Sequence, residues 1–157
     1  MLKIEKCYKC GMYKASHTFS SPSGKNPANV MFIFDRQYAN SEPENNFIRE
    51  LNFELKFDWY KTYAIKCFNT FIIKRDHLLK CREYLKQEIH DVNPYLVILF
   101  GKTAVLSVLG STIRFRQNIF YIKNNKRFFI AESMKGNEFK IDRNLKTLLL
   151  YIRSYYS

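Results

Sequence analysis

Two uninterrupted apolar runs, VMFIF (residues 30–34) and YLVILF (residues 95–100), constrain this chain more than any other feature. A half-solvated strand alternates apolar and polar residues, whereas a continuous run is what a strand buried on both faces requires. Such strands need helices above and below. The intervening sequence supplies them: FIRELNFEL (47–55) has helical spacing after a helix-start signal in SEPEN. RDHLLKCREYLKQEIHDV (75–92) places Leu78, Cys81, Leu85, Ile89 and Val92 on one stripe, and Asn93-Pro94 ends it. WYKTYAIKCF (59–68) alternates and is β-branched or aromatic, so a second strand is expected there. A short helix follows Gly101 to Leu109, NIFYI and RFFIAE are strand-like, and a closing helix is expected from about Asp142 to Tyr155. Strands alternating with helices give an α/β layered, mostly parallel sheet with helices on both faces. In such sheets the active site lies at the carboxyl ends of the strands.

With 157 residues and 46% hydrophobic content, one domain spanning 1–157 is the expectation. No apolar run approaches ~18 residues, so no transmembrane helix and no membrane partner are expected. MLKIEKCYKC lacks the apolar core of a secretory signal, which points to an intracellular, reducing setting. The net charge is +12, and +8 of it falls in residues 102–157, where 11 Lys and Arg face 3 Asp and Glu. A basic flank on a compact domain is the electrostatic footprint of a nucleic-acid partner.

In a reducing compartment, the Cys-x-x-C of CYKC is more readily metal-binding or catalytic than a lasting disulfide. Cys67, at a strand end, and Cys81, on the helix stripe, would each alone read as a small buried hydrophobe. Together with Cys7 and Cys10 they make four thiols with none left over, the number that a tetrahedral zinc or a 4Fe–4S cluster takes. Unpaired core thiols compete with that reading, as does a zinc set recruiting His17.

In order and spacing, CYKC, NPANVMFIF, YKTYAIKCF and CREYLKQEIHDVNPYLVILFGKTAVLSVLG resemble the iron–sulfur uracil-DNA glycosylases, family 4 and its relatives. The match is best over 81–110, where Pro94, Val97, Ile98, Gly101, Ala104, Leu109 and Gly110 fit the family's pattern of a cysteine-bearing helix, strand and Gly-turn. IKC at 65–67 is similar to the family's VKC. The resemblance implies a three-layer α/β/α sandwich around a four-stranded sheet, and a 4Fe–4S cluster on Cys7, Cys10, Cys67 and Cys81 rather than zinc.

The catalytic motifs depart from that pattern. Where the family has GEAPG after the first strand, this chain has FDRQY: Asp35 stands in for the acid, and Phe34 and Tyr38 replace glycines whose backbone freedom a Cβ denies. Tyr63 stands where an asparagine pairs with uracil, and a phenol cannot reproduce an amide's paired donor and acceptor. Ser133, or a neighbour, stands where the family's late histidine assists the leaving group; no histidine follows His90. The aromatic that stacks on the base corresponds to Phe47. Neither a Walker loop nor G-x-G-x-x-G is present, and His17, His77 and His90 have no nucleophile partner at an identifying spacing.

The expectation is therefore a scaffold retained and an excision pocket plugged: a catalytically inactive, iron–sulfur DNA-binding or replication-accessory protein. Arg36, Arg114, Arg116, Lys123, Lys126, Arg127 and Lys135 are the candidate phosphate contacts. STIRFRQ and KNNKR interleave rings and cations as a single-strand platform does. Two alternatives stand beside it. One is an adaptor that binds a polymerase or other replication protein, with YIRSYYS as an anchor patch. The other is an active glycosylase, of uracil or an altered base, using Asp35 and Ser133. Richness in Lys, Asn, Ile, Phe and Tyr suggests an AT-rich genome, and a compact degenerate homologue suggests a virus or mobile element.

Overall fold

A computed structural model describes residues 4, 7–9, 19–37, 42–67, 74–110, 116–132 and 138–156, the side chains of 138–142, 144, 155 and 156 excepted. The elements are β1 (Ser23–Gly24), β2 (Val30–Arg36), α1 (Glu42–Leu55), β3 (Trp59–Ile65), α2 (Arg75–Val92), β4 (Leu96–Phe100), α3 (Gly101–Leu109), β5 (Ile119–Lys123), β6 (Lys126–Ala131) and α4 (Glu138–Tyr156). They build one sheet in the order β1-β3-β2-β4-β6-β5. Its four central strands run parallel, which is the four-stranded unit that the resemblance implies. Antiparallel β1 and β5 add an edge on each side, so the sheet is six-stranded and mixed. The closing helix starts at Glu138, earlier than periodicity predicts.

The apolar runs are fully buried because successive side chains enter opposite layers. Val30, Phe32 and Phe34 join Leu96, Ile98 and Phe100 in a core with Phe47 and Leu51 of α1 and Leu148 and Ile152 of α4. Met31 and Ile33 join Val97 and Leu99 in a second core with Leu85 and Val92 of α2 and Ala104, Val105 and Leu109 of α3. The result is an α/β/α sandwich. Asn124 and Asn125 both take positive φ, 52° and 63°, as a two-residue hairpin between β5 and β6 requires; asparagine tolerates that conformation best after glycine. Among the described residues, no helix is long and apolar enough to cross a membrane.

β2 leads through α1 to β3 on one side, while β4 lies on its other side. The connections therefore diverge between β2 and β4. In an open α/β sheet the ligand crevice lies outside the carboxyl ends of the strands at such a divergence, which here means the ends of β2 and β4.

Candidate functional site

Rings pack together at the ends of these two strands. Phe34, near the end of β2, lies flat against Phe100, the last residue of β4, with centroids 4.4 Å apart and planes 9° apart. Phe47 of α1 meets Phe100 edge-on at 5.4 Å, and Tyr63 of β3 is tilted against Phe34 at 6.1 Å. All four are buried. Of the residues that the sequence singles out as pocket-filling, Phe34, Phe47 and Tyr63 come together here, and Tyr38 lies outside the described residues.

Beside the rings is a polar cluster that sequence reasoning missed. The Tyr63 hydroxyl donates to Glu44 Oε2 at 2.8 Å, and Lys61 Nζ lies 3.8 Å from the same oxygen while donating to Asn45 Oδ1 at 3.0 Å. Burial raises the Glu44 carboxyl above its usual range; the Tyr63 hydrogen bond and Lys61 oppose that, and the Asp35 charge adds to it. Burial lowers Lys61, with Glu44 opposing. Tyr63 is raised by burial, then by the Glu44 charge and hydrogen bond, so its proton is committed to an internal carboxylate. Asp35, half-buried, accepts the Arg36 backbone N–H at 2.9 Å. Lys61 and Tyr63 share one strand face at an interval of two. That interval, with a glutamate at a helix start, is the only signal that pointed to the cluster.

The opposite face of β3 carries a second buried charge cluster. Glu88 of α2 accepts from Tyr60 Oη at 2.6 Å and Thr62 Oγ1 at 2.7 Å, and it pairs with Lys66 Nζ, which also donates to Thr62 Oγ1 at 2.7 Å. Both partners are almost wholly buried, Lys66 3% and Glu88 2% exposed, and burial lowers the Lys66 ammonium while Glu88 holds it up. A paired, multiply hydrogen-bonded charge is the form in which such burial is tolerated.

Lys66 leads into Cys67. That cysteine forms an isolated antiparallel bridge with Phe19, and Ser20 N–H donates to the Lys66 carbonyl at 2.6 Å, so the N-terminal segment is stitched to the end of β3. Cys67 and Cys81 are buried, Cys7 is half-buried, and each is a thiol rather than half of a disulfide. All three act on one phenol: Tyr84 is pushed up to about 12, first by its hydrogen bond with Cys7, then by burial and the charges of Cys7, Cys81 and Cys67. Lys9 lies over the same ring at 4.3 Å and pairs with Glu83 at 2.7 Å, which docks residues 7–9 on α2. In kind, these thiols fit a thiolate-held metal centre. Cys10 and His17 lie outside the described residues, and among the described residues no three His, Cys, Asp or Glu side chains are gathered tightly enough to hold a metal ion.

The candidate phosphate contacts divide between the two ends of the sheet. Arg36 and Arg116 lie at the carboxyl end, Arg36 closing β2 and Arg116 preceding β5, which begins opposite Ile130. Lys123, Lys126 and Arg127 form the hairpin at the amino end, where Arg127 pairs with Leu96 and stacks 4.3 Å over Tyr95, and Lys126 donates to Asn93 Oδ1 at 3.0 Å. Four residue steps along β6 lead from Arg127 to Ala131, about 13 Å at the rise of a strand. The hairpin thus lies at the opposite end of the sheet from Arg36 and Arg116. Arg114, Lys135 and Ser133 lie outside the described residues. Glu132, beside the last of these, is buried and accepts from Arg143 Nη1 at 2.8 Å. Neither described histidine has a catalytic setting: His77 Nδ1 accepts the Lys74 N–H at the start of α2, and His90 is exposed beside Asp91.

Comparison with known proteins agrees with this architecture. The "Type-4 uracil-DNA glycosylase" of Saccharolobus solfataricus is 25% identical over 114 residues, which cover 64% of this chain and 53% of the relative. The chain thus spans about half the length of the curated relative that it matches. Residues 12–151 match the Uracil DNA glycosylase superfamily, and with nearly its whole length inside that match the chain belongs to this superfamily.

Proposed function

We propose that this protein is a DNA-binding member of the superfamily that does not excise uracil, its fold pinned by a 4Fe–4S cluster on Cys7, Cys10, Cys67 and Cys81. The Phe34–Phe100 stack carries the reading. Enzymes that act on a base extrude it into a snug pocket and read its edge by hydrogen bonds. At the strand ends that would border such a pocket, this chain places two stacked rings and a phenol whose proton is held by Glu44. The cluster reading is supported by the family resemblance of the cysteine spacing and by the hydrogen bond and charges through which Cys7, Cys67 and Cys81 act on Tyr84. When bound, the cluster supplies cross-linking of the N-terminal segment to β3 and α2, not base chemistry. The basic carboxyl edge, with Arg36 and Arg116, holds phosphates without reading sequence.

The test is one anaerobically purified sample assayed twice. Alkali-labile sites in a uracil-containing duplex or single strand are expected to be absent, while the same oligonucleotides bind with an affinity that falls linearly in log salt. Uracil release abolished by Asp35→Asn overturns the inactive reading. A flat salt response overturns the DNA-binding one.

A further inference from the structure

On the outer face of the sandwich, α2 and α3 leave a groove of about 480 Å³ between them, remote from the stacked rings. Leu78, Leu79 and Leu106 form its floor, and Arg75, Arg82 and Lys102 stand around it without a carboxylate among the lining residues. Leu79 is 50% exposed although its neighbour Leu78 is buried. The next groove along α2, on the other side of Leu79, is balanced: Lys9 and Lys80 there face Asp76 and Glu83, and Lys9 is paired with Glu83. Among the described residues, charge in the α2–α3 groove is uncompensated. Among the described residues, Arg75 and Lys102 make no hydrogen bond or ion pair. Arg82 spends only Nε, on the Ser107 carbonyl at 2.9 Å, and keeps its other N–H donors.

We infer that the α2–α3 groove is a docking site for an acidic amphipathic helix of a partner protein. Three observations select that occupant. Among the described residues the floor is aliphatic and holds no aromatic ring to stack a base, whereas interdigitating Leu side chains is what a helix-in-groove contact does. The order along α2 is cation, apolar pair, cation, because Arg75 and Arg82 are seven residues, or about 10.5 Å, apart with Leu78 and Leu79 between them. From α3, Lys102 and Leu106 add one more cation and one more leucine at an interval of four. An apolar stripe flanked by carboxylates two turns apart complements it. This surface stands independently of the reading of the base pocket, since it shares no residue with it.

The probe is a synthetic peptide of about 16 residues with Leu at helical spacing and Glu beside it, its binding to the full chain followed by fluorescence anisotropy. Arg75→Glu with Lys102→Glu is expected to weaken it at least about tenfold, the loss that two charge-assisted contacts imply. Both positions lie in first helical turns, where glutamate suits the helix dipole, so the fold should persist. Leu79→Ser is expected to weaken the peptide as well, and polyglutamate of equal length is expected to bind far less. Failure of the peptide to bind, or indifference to these variants, overturns the inference. So does a single-stranded oligonucleotide that competes with the peptide and is lost in the same variants, which would make the groove a nucleic-acid surface.

Discussion

Phe34 and Phe100 are cross-strand neighbours that stack because the register of β2 on β4, Ile33 opposite Leu99, brings the next pair of side chains onto one face at the sheet's carboxyl end. The contact lies at the carboxyl ends of the two strands between which the connections diverge. An offset stack of this kind contributes about 0.5–1.5 kcal/mol beyond the burial of each ring. Phe34→Ala and Phe100→Ala are each expected to cost about 3–5 kcal/mol in urea unfolding. The double variant should lose less than the sum of the two, by roughly the stacking contribution. Additive losses would mean that the rings pack independently.

Tyr63→Phe removes the donor to a buried carboxylate and is expected to cost about 1–3 kcal/mol, the penalty for leaving such an acceptor unmet. Glu44 adds a pH dependence. Its native pKa is raised by burial, so between the ordinary carboxylate value of 4.5 and the raised value the folded chain holds a proton that the unfolded chain has released. Stability from this group is therefore full at acid pH and declines as pH rises through that window. Glu44→Gln should remove the decline, so its stability relative to the parent should climb from about pH 4.5 upward. A difference that stays flat across the window would contradict the assignment.

Glu88→Ala strands the Lys66 ammonium inside the sheet–helix interface, where breaking a buried pair costs about 3–5 kcal/mol. Replacing both charges, Lys66→Met with Glu88→Leu, should recover much of that loss, since an apolar pair needs no desolvation. If the double variant is as unstable as Glu88→Ala, the network's hydrogen bonds from Tyr60 and Thr62 matter more than the ion pair.

For the thiols, Cys81→Ser and Cys67→Ser are each expected to abolish the brown colour and broad visible absorption of an anaerobic preparation and to release the iron. The same substitution at Cys7 should do so too, because the charges of Cys7, Cys67 and Cys81 all act on the Tyr84 phenol. A colourless parent protein that contains zinc would replace the cluster with a single ion.

The scaffold was legible because it rests on one-dimensional signals. Uninterrupted apolar runs read as doubly buried strands, and the Leu78–Leu85–Val92 stripe read as α2 to its last residue. The polar clusters were not, because they join residues far apart in sequence: Tyr63 to Glu44 is an interval of 19, and Tyr60 to Glu88 an interval of 28. No periodicity marks a glutamate that will be buried under a strand. Where the basic residues emerge was not legible for a related reason: charge counts say how many cations a segment carries, but only strand direction says at which end of the sheet they lie.

That direction separates two basic surfaces, and one measurement assigns DNA to one of them. Removing a single phosphate-binding cation lowers the slope of log affinity against log salt by about 0.9 on duplex and about 0.7 on single strands. Arg36 and Arg116, at the carboxyl end beside the stacked rings, should each lower the slope by about one such step when changed to alanine. Lys126 and Arg127 are already engaged by Asn93 and Tyr95 at the far end. Lys123→Ala with Lys126→Ala should therefore leave both slope and affinity nearly unchanged. Were the pattern reversed, the nucleic acid would lie along the β5–β6 hairpin. The retained glycosylase architecture would then serve as a frame for a surface on the opposite end of the sheet.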